Sequence, residues 1–149
     1  HRDLHSFPTR RSSDLKYHVS GQLKIAPEHI ENEILELMGK PDVNCLFEFV
    51  NNFYRINKEM NLKQFLTYYL IAAHPGSTAE KMQNLKNYFT ENFSVLPEQI
   101  QIFTPTPSTY STLMYWTAVN PFTGNKIIVE KDLKQKENQK KALSKFKKR

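Results

Sequence analysis

Phe65-Leu-Thr-Tyr-Tyr-Leu-Ile-Ala-Ala73, followed at once by His-Pro-Gly-Ser-Thr (His74–Thr78), is the stretch from which the fold can be read. Nine residues that are nearly all apolar, aromatic or Thr predict a strand buried on both faces of a parallel sheet. Ser77-Thr-Ala-Glu80 has the form of a capping box. Met82, Leu85, Tyr88, Phe89 and Phe93 then continue at helical spacing. A strand that turns sharply into a helix is half of a βαβ unit.

The flanks extend the alternation. Upstream, Val19–Ile25 is a short strand candidate, with Gly21 weakening its first half. Pro27 suits the first turn of a helix. That helix carries Ile30, Ile34, Leu35, Leu37 and Met38 and is closed by Gly39 and Pro41. A second helix runs from about Val43 to Met60, with Leu46, Phe47, Val50, Phe53 and Tyr54 on one face. Downstream, Pro97 precedes a third strand, Gln99–Phe103, and a Pro- and Thr-rich loop. An aromatic segment (Leu113–Val119), an NPFTG turn (Asn120–Gly124), a short extended piece (Ile127–Val129) and a polar, Lys-rich helix (Asp132–Phe146) complete the chain. The order strand, helix, helix, strand, helix, strand predicts an α/β fold with three parallel strands.

His1–Leu15 has no apolar period and closely resembles the translation of a sequencing-library adapter. It is set aside from the fold and expected to be disordered, with the natural N-terminus missing. The net charge of +6 is uneven. Lys131–Arg149 has nine basic and two acidic residues, whereas Lys16–Glu130 has nine basic and eleven acidic ones. The body is therefore not a nucleic-acid-binding fold as such, although the tail leaves RNA open as a partner, against the plainer reading of a solvated terminal helix. One cysteine, Cys45, excludes an internal disulfide, and no run approaches a membrane span. A cytoplasmic location is the default. No P-loop, GxGxxG, ordered Ser/His/Asp triad or metal-type His spacing is present.

Three apolar runs end in loops suited to holding a ligand: Leu23–Ile25 before Ala26–His29, Phe65–Ala73 before His74–Thr78, and Ile100–Phe103 before Thr104–Thr112. In α/β sheets ligands bind outside the carboxyl ends of strands, so the three loops suggest one shared site. Glu28 reads either as a first-turn acid favoured by a helix dipole or as a carboxylate for ligand hydroxyls or an ammonium. His29 reads as a ligand, a base or a hydrogen-bonding neighbour. Gly76 and Ser77 suit close backbone approach and an anion at a helix N-terminus, or an ordinary capped turn.

The strings SGQLKIAPEH (Ser20–His29), LELMGKP (Leu35–Pro41), INK (Ile56–Lys58), AAHPGST (Ala72–Thr78), PEQIQIFTPTPSTYSTLMYWT (Pro97–Thr117) and NPFTGNKIIVEKDLKQK (Asn120–Lys136) together resemble the YgiQ family of radical S-adenosylmethionine proteins. The resemblance runs from Lys16 to about Phe146. It implies the C-terminal portion of a partial (β/α)6 TIM-like barrel over residues 16–119 and a C-terminal extension with a basic tail over 120–149. It also implies an enzyme that cleaves S-adenosylmethionine reductively at a [4Fe–4S] cluster and passes a 5′-deoxyadenosyl radical to a substrate the sequence does not identify. The cluster's CxxxCxxC loop would lie upstream of Lys16, so the chain holds no metal ligands. Neither group is expected to bind stably here, and the fragment alone should be inactive. Cys45 is expected to be a core or half-buried thiol. By the same resemblance the cofactor-facing positions are Glu28 and His29, then Ala72, Ala73, His74, Pro75 and Gly76, then Thr104 and Pro105. Ala118 stands where family members commonly have Gly. An independent flavodoxin-like binding domain is the remaining reading, for which three parallel strands are few.

Overall fold

The computed structural model describes residues 9–93, 97 and 99–144. The elements are α1 (Thr9–His18), β1 (Gln22–Glu28), α2 (Asn32–Leu37), α3 (Val43–Glu59), β2 (Phe65–Ala72), α4 (Ala79–Asn92), β3 (Gln99–Ile102), α5 (Tyr110–Thr117) and α6 (Leu133–Ser144). The strands form one parallel sheet in the order β1-β2-β3. The α/β class and the parallel pairing agree with the sequence reading.

Among the described residues, only one face of the sheet is covered by helices. Side chains alternate between faces along a strand, and on β2 the even positions Leu66, Tyr68, Leu70 and Ala72 enter the core. They meet Val50, Phe53 and Ile56 of α3, Met82, Leu85 and Phe89 of α4, and Leu143 of α6. Aromatic rings knit this layer: Tyr68 stands edge-on to Phe89 at 5.1 Å, and Phe89 lies 4.9 Å from Phe93. The expectation that β2 is buried on both faces therefore fails. Phe65 is exposed and Tyr69 and Ile71 are half-buried, with no described helix over the odd positions; of these only Thr67 is buried, beneath Gln22, which donates to its hydroxyl.

Other differences have local causes. β1 ends at Glu28, not at Ile25, and Pro27 lies in the strand instead of opening a helix. Between Ile25 and Glu28 two residues of β1, Ala26 and Pro27, oppose one of β2, Tyr69, a bulge that accommodates a residue with no N–H to donate. The cap of α4 is Thr78, whose side chain accepts from the Lys81 N–H, while Ser77 turns inward. Cys45 is exposed on α3. Residues 9–15, expected to be disordered, belong to α1. Leu15 is buried beside Leu23, Phe53 and Ile56, and the Gln64 amide donates to the Leu15 and Val19 carbonyls. Residues 1–8 lie outside the described residues.

The polar sequence of α6 hides an anchoring stripe. Leu143 is fully buried and Lys136 and Gln139 nearly so, and the helix packs on α4, β3 and β2. Lys136 is accommodated because its ammonium donates to the Tyr115 hydroxyl at 2.8 Å and lies 4.6 Å from that ring's centre. Residues 145–149 of the basic tail lie outside the described residues.

Two stability differences are expected from this packing. Leu143→Ala should lower the unfolding free energy by about 2–5 kcal/mol in urea titration, whereas the exposed Leu133→Ala should change it by less than about 0.5 kcal/mol. Equal effects would mean that α6 is not part of the core. Ala118 ends α5 in the left-handed region (φ 54°). Ala118→Gly is expected to raise stability by about 0.5–1 kcal/mol in the same titration.

Candidate functional site

The three strand ends do lie side by side, since the strands are parallel neighbours with Glu28 opposite Leu70 and Ala72 opposite Ile102. β1 and β2 end in the same way: a non-glycine residue at positive φ (Glu28, 65°; Ala73, 59°) followed by a buried histidine (His29; His74). The left-handed residue reverses the chain within one step and turns the imidazole back into the protein.

Glu28 is not at a helix start, because α2 begins only at Asn32. Its carboxylate lies 3.4 Å from Lys40 Nζ, which also donates to the Ala26 carbonyl at 2.8 Å. The pair is partly buried and clasps the bulge to the end of α2. His29 is fully buried. Its Nδ1 accepts from the Glu31 N–H at 3.1 Å, so the neutral ring carries its proton on Nε2, which has no partner among the described residues. Burial first, then the neighbouring His74 and Lys81 charges, lower its pKa to about 3.

The β2 segment is closed in on itself. Ala72, Ala73, His74 and Pro75 are all buried. His74 Nδ1–H donates to the Pro75 carbonyl, which leaves Nε2 to accept from the Ser111 hydroxyl; both contacts are 2.8 Å. Phe103 stands edge-on to the ring at 5.1 Å, and burial lowers the His74 pKa to about 4. Gly76 (φ 87°) donates its N–H to the Ile128 carbonyl at 2.7 Å. A Cβ there would sit 2.6 Å from Leu37 Cδ1, so the close approach that glycine permits is to α2. The Ser77 hydroxyl faces Met82 Sδ at 3.1 Å, and Thr78 holds the α4 N-terminus.

At the third end Thr104 is exposed and Pro105 half-buried. The hydroxyls beyond them satisfy one another: Thr109 caps α5 through the Thr112 N–H, and Thr112 Oγ1 donates to the Thr106 carbonyl. Of the nine positions assigned to the cofactor by resemblance, the structure leaves Glu28, Thr104 and Pro105 accessible and buries or packs the other six.

The accessible chemistry lies on the uncovered face of the sheet. Gln22 Nε2 donates to Thr67 Oγ1 at 3.0 Å, Lys24 Nζ to Gln99 Oε1 at 2.7 Å, and the Tyr69 hydroxyl to Gln101 Oε1. Lys24 Nζ also lies 5.9 Å from the Tyr69 ring centre. Burial, and then the charge of Glu28, push the Tyr69 phenol upward, which ties Glu28 to the carboxyl end of this same row. The signal is present in the sequence as strict alternation in Gln22-Leu-Lys-Ile25 and Gln99-Ile-Gln-Ile102, away from the strand ends. Behind β1, a separate cavity of about 260 Å³ lies between Ala26, Pro27, His29, Lys40, Cys45 and Phe49. No group of three or more His, Cys, Asp or Glu among the described residues could hold a metal.

The buried histidines make stability pH-dependent. Both have folded pKa values below the ordinary 6.5, so the unfolded chain binds more protons at mildly acidic pH. Their contribution is complete above about pH 6.5 and drains as pH falls toward 4. The urea midpoint is expected to drop between about pH 7.5 and pH 5, and to drop less in His29→Gln. An unchanged midpoint over that interval would contradict this.

No family model matches the chain. Curated relatives do. A UPF0313 protein of Fusobacterium nucleatum is 61% identical over 126 residues, 85% of this chain and 22% of the relative. A UPF0313 protein of Clostridium botulinum is 46% identical over 128 residues, covering 86% and 20% of the two chains. One from Thermotoga maritima is 42% identical over 121 residues, covering 81% and 21%. The chain thus spans about a fifth of the length of the UPF0313 proteins to which it is homologous.

Proposed function

We propose that this chain forms the last strand–helix units of a partial barrel in a cytoplasmic radical S-adenosylmethionine enzyme, with the uncovered sheet face lining the lumen. The supporting observation is the polar character of that face. A filled TIM-type barrel packs its interior with branched apolar side chains. Here Gln22, Lys24, Thr67, Tyr69, Gln99 and Gln101 occupy the corresponding side and hydrogen-bond across the strands, with the apolar Phe65 and Ile71 only at the two ends of the β2 row. A lumen of that kind suits a polar ligand in a cavity better than a packed core. The homology to UPF0313 proteins and the resemblance to the YgiQ family support the same reading.

The cluster does not fit the residues present. Cys45 is the chain's one cysteine, exposed on α3 in the helical layer. Thiolates to carry it would have to come from outside this chain. When bound, cluster and S-adenosylmethionine together supply reductive cleavage of the cofactor. This chain's share is binding and orientation: Glu28 and the amides of Gln99 and Gln101 offer acceptors and donors to a zwitterionic, hydroxyl-bearing ligand, Lys24 offers a cation, and Tyr69 a hydroxyl. No helix of the described residues is long and apolar enough to cross a membrane.

The intact Fusobacterium nucleatum relative, purified without oxygen and loaded with iron and sulfide, is expected to form 5′-deoxyadenosine from S-adenosylmethionine under reduction. In an intact protein that carries the sequence of this chain, Lys24→Met should lower the rate or the cofactor affinity by about 10-fold, the worth of one charge-assisted hydrogen bond. A cluster-loaded intact protein that yields no 5′-deoxyadenosine would overturn the reading.

A further inference from the structure

We propose that the outer face of α5, with Lys131 at its rim, is a stacking platform for single-stranded nucleic acid. The inference is independent of the catalytic reading, because it rests on a surface outside the sheet. On and beside α5 three rings stand out in solvent: Tyr110 is 61% exposed, Trp116 67% and Phe122 65%. They are not scattered. The rings of Tyr110 and Phe122 are 4.7 Å apart, and Tyr110, Leu113 and Trp116 line one open groove with the hydroxyls of Ser108, Thr109 and Thr112. The opposite side of α5 is fully used, by the buried Met114 and by Tyr115 held to Lys136. The exposed rings are therefore not needed to seat the helix.

Charge selects the occupant. Lys131 Nζ lies 5.8 Å from the centres of both the Tyr115 and Trp116 rings, so a cation is fixed beside the aromatic surface. Lys126, Lys131 and Lys134 are exposed, and residues 104–149 contain ten basic residues against three acidic ones. A second copy of the chain would bring like charges together on this face. An acidic polypeptide would answer the lysines but leave the ring faces without planar partners. Unpaired bases with their phosphates answer both: bases stack on aromatic faces without regard to sequence, and the backbone tracks a positive rim.

Trp116 is the chain's only tryptophan, so its fluorescence reports on the platform directly. The 149-residue chain is titrated with an oligouridylate of about 12 nucleotides, within the span of one such site. Saturable quenching is expected at about 50 mM salt, with affinity about 10-fold weaker at about 200 mM. With a fluorescein-labelled oligouridylate, Trp116→Ala should weaken binding by about 10-fold or more. Lys131→Ala should reduce the logarithmic salt slope by about 0.7. The quenching measurement needs no variant, and urea titration of the same chain establishes that it is folded. Absence of binding overturns the proposal. So does salt-sensitive binding without quenching, which would place the contact on the basic tail, and so does quenching that tracks protein concentration alone, which would make the occupant a second copy.

Discussion

Everything in this molecule hangs on the helix-side row of β2. Leu66, Tyr68, Leu70 and Ala72 are the only fully enclosed strand side chains among the described residues, and they pack in one core with α3, α4 and α6. Burying each large apolar side chain is worth about 1.5–3 kcal/mol, so this row fixes which way the strand's alternation faces. The consequence reaches the other side of the sheet. Once even positions are committed to the core, Thr67 and Tyr69 must point the opposite way, and their register partners Lys24 and Gln99, with Gln22 and Gln101 two residues along, are drawn into one polar surface. The face proposed as a lumen is thus specified by the packing behind it.

The strand ends serve a different purpose from the face. A left-handed residue and then a buried imidazole close both β1 and β2, and the same few contacts recur at each: a backbone N–H or carbonyl on one ring nitrogen, apolar or hydroxyl neighbours around the rest. These are positioning elements. They hold Glu28 at the rim, with Lys40 as its counter-charge, and they brace the start of α5 through Ser111. Non-glycine residues at positive φ carry a conformational cost that the surrounding packing must bear, helped at His74 by two hydrogen bonds to its ring.

Much of this was legible in the sequence. The apolar run at Phe65–Ala73 marked the central strand, and the stripes on α3 and α4 marked the helices over it, because periodicity reports directly on which side is buried. The strings carried a family resemblance that fits the homology to UPF0313 proteins. What was not legible depended on distance in the chain. Nothing local in His74 reveals a partner 37 residues away, and Gly76 looks as suited to a ligand as to the α2 side chains it actually meets. The Lys-rich α6 read as solvated because one leucine and two polar residues make a weak stripe, yet Lys136 and Gln139 are buried by virtue of Tyr115 and Ser77. The polar sheet face was visible as period-two alternation, but alternation in β1 and β3 says nothing of whether a second layer covers the polar side.

The lattice of amides, hydroxyl and ammonium across the sheet has a consequence for how a longer protein containing this unit is assembled. A half-barrel whose inner wall was apolar would have to find its other half before it could leave a chaperone. Here the face proposed as a lumen is one that water can wet, while the helices cover the core behind the sheet. The apolar surface left for a docking partner lies chiefly elsewhere, at the exposed Tyr110, Trp116, Phe122, Ile128 and Leu133, with Phe65 at the start of β2.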